Sequence, residues 1–387
     1  MKRKVDILGL LLVALLMTAC SGGGDDGGNT SVTNQQPVLT FYVYAPERPM
    51  ITRSNEVNAT DEENAIHNMQ IWVFETGTNT LVGYLEPKSF PTTAEGQVYQ
   101  MNVTKEFANK AAKPNVDVYV VANGRSTTTL NASTTREQLE AAVMGETDFG
   151  VSTPQKDVPS GGLPMTGVLR DKGIGGENPV LRVEDGGSMA KVRLLRMVSK
   201  VRYVFCKGVS DVLPINGITI GANLIPTTEY LFLTDKSYRI GSDYVSSETS
   251  LITAREITDI KECGNPQKYD INKITPSLTP QAFEDLIDLG VNGDTENSIA
   301  ADLTLAGPFY FKESDKKLNG KISYTPPGET ESKDKPYSMA DDANSSFTRN
   351  HSWIVYAYYE GLSGMQVIVV DVTPWEEKDK NHSVYNW

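Results

Sequence analysis

Cysteine, histidine and positive charge are all scarce in this chain of 387 residues, which holds three Cys, three His and 36 Lys plus Arg against 49 Asp plus Glu. A net charge of −13 excludes the basic surface that a phosphate backbone requires, so a nucleic-acid partner is not expected. The same balance leaves no basic patch to hold the folded body to an anionic membrane. His67, His351 and His382 are scattered along the chain, as are Cys20, Cys206 and Cys263. None falls at metal-ligand spacing, and neither a metal nor another cofactor is expected. Spacing alone leaves open whether Cys206 and Cys263 pair in an oxidising envelope or stay as buried thiols. Catalytic signatures are missing as well: there is no Gly-x-Ser-x-Gly, no His-Glu-x-x-His and no phosphate-binding Gly-Lys-Ser/Thr. Gly173-Ile174-Gly175-Gly176 lies in a polar stretch with no strand before it and reads as linker. Asp61-Glu62-Glu63 lacks the alternating ligands of a calcium loop and reads as a solvated loop. No enzymatic activity is expected.

Long apolar runs are also lacking. The run Ile7 to Met17 has eleven residues, too few for a bilayer core that needs about 20. Its basic start, Lys2-Arg3-Lys4, and its small-residue end are those of a secretory signal. Leu16-Met17-Thr18-Ala19-Cys20 resembles the lipobox of bacterial lipoproteins, which makes Cys20 the expected lipidation site and residues 1–19 a removable signal peptide. Two acyl chains suffice for lasting anchorage, where one is marginal. Residues 20–36 are Gly, Ser, Asp, Asn, Thr and Gln almost throughout, a composition that cannot bury enough surface to order itself and serves as a flexible tether. The Ser-Gly-Gly-Gly-Asp-Asp after Cys20 also resembles an acidic surface-export signal, with a plain linker as the alternative.

What the chain does have is alternation. Leu39, Phe41 and Val43 alternate with Thr40, Tyr42 and Tyr44, predicting a strand over 37–45 with one apolar face. Met69 to Phe74 and Leu81 to Leu85 predict a hairpin across Gly77-Thr78-Asn79. Strands follow over Val98 to Val103 and Val116 to Ala122, the latter stopped by Asn123-Gly124. Thr134 to Met144 carries helical spacing after a Thr start. Residues 150–178 read as a long loop, and strand character returns at Val180 to Val183, Met189 to Leu195, Val198 to Phe205, Ile215 to Ile220, Tyr230 to Leu233 and Phe309 to Phe311. A second helix is predicted over Pro280 to Leu289 behind Thr279 as N-cap. Trp353 to Tyr359 and Met365 to Val372 form the strongest hairpin signal, its second arm apolar on both faces. The expected fold is mostly β, two β-sandwich domains in tandem with a few short helices, divided into 37–190 and 191–387.

These parts, in this order, resemble the fimbrillins, the type V pilins of Bacteroidales. The likeness rests on the lipobox at Cys20, on Glu62 to Phe74, on Val118 to Gly124, on Leu195 to Val201 and on Val370 to Trp375. The resemblance implies two transthyretin-like sandwiches and a structural, adhesive fimbrial subunit made as an outer-membrane lipoprotein, exposed at the cell surface. It implies that an arginine-specific protease removes the first strand, and that the groove left behind accepts a donor strand from the next subunit. Arg53 lies in the following loop and is the candidate cleavage site; Arg48 is weaker because Pro49 follows it. Ser383 to Trp387 with Met365 to Val372 would supply the donor strand, unless they pair within their own domain. The implied partners are other fimbrial subunits, the outer membrane through the lipid, the protease, and a host or bacterial surface receptor. The competing reading is a surface glycan-binding β-sandwich lipoprotein with Trp353 or Trp375 as the sugar platform.

Overall fold

The computed structural model describes residues 38–44, 61–90, 97–145, 149, 157–169, 188–233, 238–262, 303–340 and 345–371. The first half supplies β1 (Val38–Tyr44), α1 (Asp61–Asn64), β2 (Met69–Glu75), β3 (Leu81–Leu85), β4 (Gln97–Asn102), α2 (Lys105–Ala108), β5 (Val116–Ala122), α3 (Arg136–Ala141), β6 (Val143–Met144), β7 (Met165–Leu169), β8 (Ser188–Arg193) and β9 (Leu195–Arg196). The second half supplies β10 (Val198–Lys207), β11 (Ile215–Ile220), β12 (Glu229–Tyr230), β13 (Thr249–Ile252), β14 (Thr304–Lys312), β15 (Leu318–Tyr324), β16 (Lys333–Met339), β17 (Ser352–Tyr359) and β18 (Met365–Asp371).

Two sandwiches account for most of these strands. In the first, the sheet β4-β1-β8 packs on the sheet β3-β2-β5-β7-β9, and Leu39, Phe41, Val43, Ile71, Val73, Val118, Val120 and Met165 share one core. In the second, β14-β10-β17-β18 packs on β13-β11-β15-β16 around Tyr203, Phe205, Ile218, Ile322, Phe309 and Val355. All the described residues lie in one compact unit, Gln36–Trp387. The fold class expected from alternation, mostly β with short helices and paired sheets, is the one found.

A third apolar cluster joins the halves. The outer faces of β2 and β5 present Trp72, Phe74, Tyr119 and Val121, and these pack with Leu139 of α3 and with Met197, Leu231, Phe232 and Tyr310 from the second half. β5 is therefore buried at every position, which is why Val-Asp-Val-Tyr-Val-Val-Ala reads as a nearly continuous apolar run rather than a strict alternation. The chain crosses from β9, the edge of the first sandwich, to β10, an interior strand of the second, through the single residue Met197. β6 and β12 pair antiparallel, Met144 opposite Glu229, and tie the halves a second time.

The helix expected over Thr134 to Met144 is shorter: α3 spans Arg136–Ala141. Thr135 caps it, taking the Gln138 amide on its side chain while Gln138 returns a bond to the Thr135 backbone. Such a reciprocal box satisfies two of the four donors a helix start leaves open. The stretch 150–178 is not simply a loop, because β7 lies within it and pairs with both β5 and β9. Asp61-Glu62-Glu63 is likewise a turn of helix rather than a solvated loop, and Glu63 is buried. Of the strand expected over Tyr230 to Leu233 only Tyr230 is extended, at the end of β12 (Glu229–Tyr230); Leu231 and Phe232 enter the third cluster instead. The segments Val180 to Val183 and Pro280 to Leu289 lie outside the described residues.

Candidate assembly slot

β1 is the middle strand of its sheet, which fixes what surrounds it. It pairs antiparallel with β4, Phe41 opposite Tyr99, and parallel with β8, Phe41 opposite Ala190. Leu39, Phe41 and Val43 point into the core at 0%, 0% and 1% exposure, while Val38, Thr40 and Tyr42 are half-buried. Period-two alternation thus gives the strand one apolar face and one mixed face. Taking β1 away would leave β4 and β8 each with an unpaired edge and three apolar vacancies between them, the arrangement that invites a replacement strand.

Sixteen residues separate the end of β1 from α1, which lies at a buried set of charges. The Glu63 carboxylate accepts Lys200 Nζ from β10 at 2.9 and 3.0 Å and Tyr310 Oη from β14 at 2.7 Å. Arg196 of β9 donates to the Asn64 side-chain oxygen and to the Glu63 carbonyl, and its own amide reaches Asn350 Oδ1. Glu63, Lys200 and Arg196 are 1%, 3% and 0% exposed. Burial pushes the Lys200 ammonium down to about 8, with repulsion from Arg202 adding to it and Glu63 opposing. Burial likewise pulls Arg196 down to about 10 against the attraction of Glu63. The Tyr310 hydroxyl is raised by burial and by the Glu63 carboxylate, so it stays a donor.

A second buried set holds the β12 segment. Arg349 donates to the Leu231 and Tyr230 carbonyls at 3.0 and 2.8 Å and to Glu313 at 2.6 Å, and pairs with Glu229 at 3.0 Å. Leu231 in turn donates its amide to Ala142 and accepts Thr166 Oγ1 from β7. Two carboxylates therefore share one guanidinium where the second half wedges into the first. Burial raises Glu229 to about 8, with Glu313 adding to the rise and Arg349 opposing it.

Comparison with known proteins gives this geometry a context. The family model for the major fimbrial subunit protein (FimA) matches residues 38–188, from the first residue of β1 to the first of β8. Over that span the chain is similar to the FimA fimbrial-subunit family. No curated protein sequence matches it. A solved structure described as a cell adhesion protein from Parabacteroides distasonis is similar in fold, with a TM-score of 0.51 at 14% identity, covering 88% of this chain and 98% of that one. A fimbrial assembly protein from the same organism has a TM-score of 0.46 at 13% identity, over 87% and 96% of the two chains. The tip fimbrial protein Mfa3 from Porphyromonas gingivalis, with C-terminal truncation, has a TM-score of 0.44 at 14% identity, over 87% and 100%.

The remaining expected sites distribute as follows. Cys20 and Arg53 lie outside the described residues, as do Trp375 and Ser383 to Trp387. β18 pairs with β17 along its length, Val355 opposite Val369, and forms an edge of its sheet. Val367 and Val369 pack on the second core, while Ile368 is half-buried. Trp353 is 2% exposed, with Phe347 stacked at 5.8 Å. A sugar platform needs an open ring face, so this residue serves the core and the glycan-binding reading loses its described Trp. Cys206 is disulfide-bonded, and its neighbour Lys207 bridges Glu262, the residue before Cys263 in sequence. Among the described residues no group of three or more His, Cys, Asp or Glu is placed to hold a metal, and no helix is long and apolar enough to cross a membrane.

Sequence reasoning missed both buried charge sets. Glu63, Lys200, Glu229, Glu313 and Arg349 each sit in polar or mixed sequence, and nothing in their spacing marks them as partners, because the contacts span 36 to 137 residues.

Proposed function

We propose that this chain is a structural and adhesive subunit of a type V fimbria, assembled by protease-triggered strand exchange. The observation that carries the reading is β1: the first described strand, placed centrally in its sheet, with Leu39, Phe41 and Val43 sealed in the core. A strand so placed fills a slot that nothing else in the described residues could fill without it leaving. In this reading Cys20 takes the lipid and holds the precursor at the outer membrane, and an arginine-specific protease cuts after Arg53. The loss of 20–53 removes tether and β1 together, and a strand from the C-terminal part of the next subunit enters the slot. The first sandwich, through β9, is the acceptor domain and the chain from β10 onward the donor domain, the fimbrium is the final location, and a surface receptor is the distal partner.

Adding a strand restores both ladders and refills the three pockets, which supplies main-chain bonds for affinity and alternate side chains for specificity. The test compares intact protein lacking the lipid with protein trimmed after Arg53, by size-exclusion chromatography and electron microscopy. Trimmed protein is expected to form fibres and intact protein to stay monomeric; monomeric trimmed protein would refute the proposal. N-terminal sequencing of protein from the cell surface separates the steps, with a lipidated Cys20 expected before processing and Ser54 after it.

A further inference from the structure

We propose that the slot reads its guest through the middle pocket, the one that Phe41 fills: it selects a strand whose central inward side chain is aromatic, and in this chain that side chain is Tyr385. This selection rests on the strand-exchange reading and adds the feature by which a donor from a second copy is chosen. Phe41 is fully buried between Leu39 and Val43 on one face, opposite Tyr99 of β4 and Ala190 of β8 in register. It shares its core with Ile71, Val73, Val118, Val120 and Met165, all from the facing sheet. The flanking positions lie nearer the ends of the wall. Val43 stands opposite Gln97, the first residue of β4, and Leu39 opposite Met101, the last but one. Side chains of a different size can lean toward the rim at those two places, whereas the middle pocket has a strand position beyond it in both directions. In a close-packed interior the middle pocket is therefore the one that fixes volume.

Volume then separates the candidate donors. A branched aliphatic chain in place of a buried ring leaves a cavity, the cost of any large-to-small exchange in a core. β18 sets Met365, Val367 and Val369 on the second core and has no aromatic residue from Met365 to Asp371. It is also committed already, because it pairs with β17 at seven positions, and lending it would open one core to fill another. Further along, Trp375 lies between Pro374 and two glutamates, poor material for a strand. Ser383-Val384-Tyr385-Asn386-Trp387 alternates instead. Aligned with Tyr385 at Phe41, in the direction β1 runs, it brings Ser383 to the Leu39 position and Trp387 to the Val43 position. One ring replaces another of nearly equal volume, and the mismatches fall on the two pockets near the rim. The eleven residues 372–382 before it reach about 36 Å when extended, enough to carry the segment away from β18 to a neighbour.

The test is peptide competition on the full chain from Cys20, without lipid, cut after Arg53 through an inserted protease sequence. A fluorophore on Cys20 reports, by anisotropy at equilibrium, release of the fragment that holds β1. Should the fragment leave on cutting alone, labelled peptide 38–44 takes its place as the probe. Peptide 38–44 should displace the probe, and its Phe41→Ala version should need about 100-fold more. Peptide 381–387 should also displace it, with Tyr385→Phe acting at least as well and Tyr385→Ala about tenfold less well or worse. Peptide 365–371 should fail over the same range. If 38–44 itself does not exchange, the strand-exchange reading is refuted and this proposal with it. If 38–44 exchanges and its Phe41→Ala version does so equally well, the reading stands and the selective pocket is refuted. The assignment of Tyr385 is overturned if 381–387 does not displace the probe, if Tyr385→Ala makes no difference, or if 365–371 competes as well.

Discussion

Replacing Phe41 by Ala tests whether β1 is held in its slot by its inward face. Phe41 is fully buried at the centre of the strand, between Leu39 and Val43 on the same face and opposite Tyr99 on β4. Truncating a buried Phe to Ala costs about 3–5 kcal/mol, the sum of lost transfer free energy and the cavity left behind. Domains of ordinary stability hold about 5–15 kcal/mol in all, so this one side chain carries from about a fifth of such a margin up to the whole of it. Thr40 gives the comparison within the same strand. It makes the same ladder contacts through its backbone but is half-buried on the opposite face, and Thr40→Ala should cost no more than about 1 kcal/mol. Urea unfolding followed by the fluorescence of the buried Trp72 and Trp353 reads both variants against the parent. The expected outcome is a midpoint that falls sharply for Phe41→Ala and slightly for Thr40→Ala, with unchanged slope. Equal losses for the two would mean that the ladder alone holds β1, and the apolar slot would lose its explanatory role.

Two further outcomes follow from the buried polar groups. The Glu229 carboxyl holds its proton up to about 8 in the folded chain, against 4.5 for the free group. Between those values the folded state binds more protons than the unfolded one, so this group's contribution is fully present below about 4.5 and is lost as pH rises through 8. Glu229→Gln, measured by thermal unfolding at pH 5 and pH 8, should therefore flatten the decline with pH; an unchanged slope would refute the assignment. Asn123 bonds Ala65, Leu163 and His67 from a left-handed backbone at φ 52°. Three lost bonds at about 1 kcal/mol each, plus about 1–2 kcal/mol for a Cβ-bearing residue in that region without the Asn side chain, predict a loss of about 4 kcal/mol for Asn123→Ala. Asn123→Gly should recover only the backbone part, and a Gly variant as stable as the parent would show that the bonds contribute nothing.

Strands with one clear face were legible in the chain. β2, β3, β5 and β11 stand where alternation and turn residues placed them, and the β17–β18 hairpin follows from its apolar density. The strands that escaped notice did so for identifiable reasons. β7 carries Gly167 at its centre, which reads as a breaker, but a Cβ there would meet the Arg193 carbonyl at 2.6 Å and Val192 at 2.8 Å. Glycine is present because the crossing chain presses against the strand, not because the strand ends. β16, Lys-Asp-Lys-Pro-Tyr-Ser-Met, reads as loop because an edge strand uses charge and proline to discourage further pairing. The buried charges were illegible for a different cause. A carboxylate beside two other acidic residues looks solvated until the fold brings Lys200 and Tyr310 from more than 130 positions away.

The neighbours of β1 also give its place a direction. One wall, β4, runs against it and the other, β8, runs with it, and the hydrogen-bonding groups of parallel and antiparallel edges are spaced differently. A guest entering backwards would meet the wrong spacing on both walls at once. If subunits join by lending a strand to this opening, every joint must therefore point the same way. The resulting filament would have two unlike ends, so that growth, anchorage and adhesion could be assigned to different ends by the orientation of seven residues.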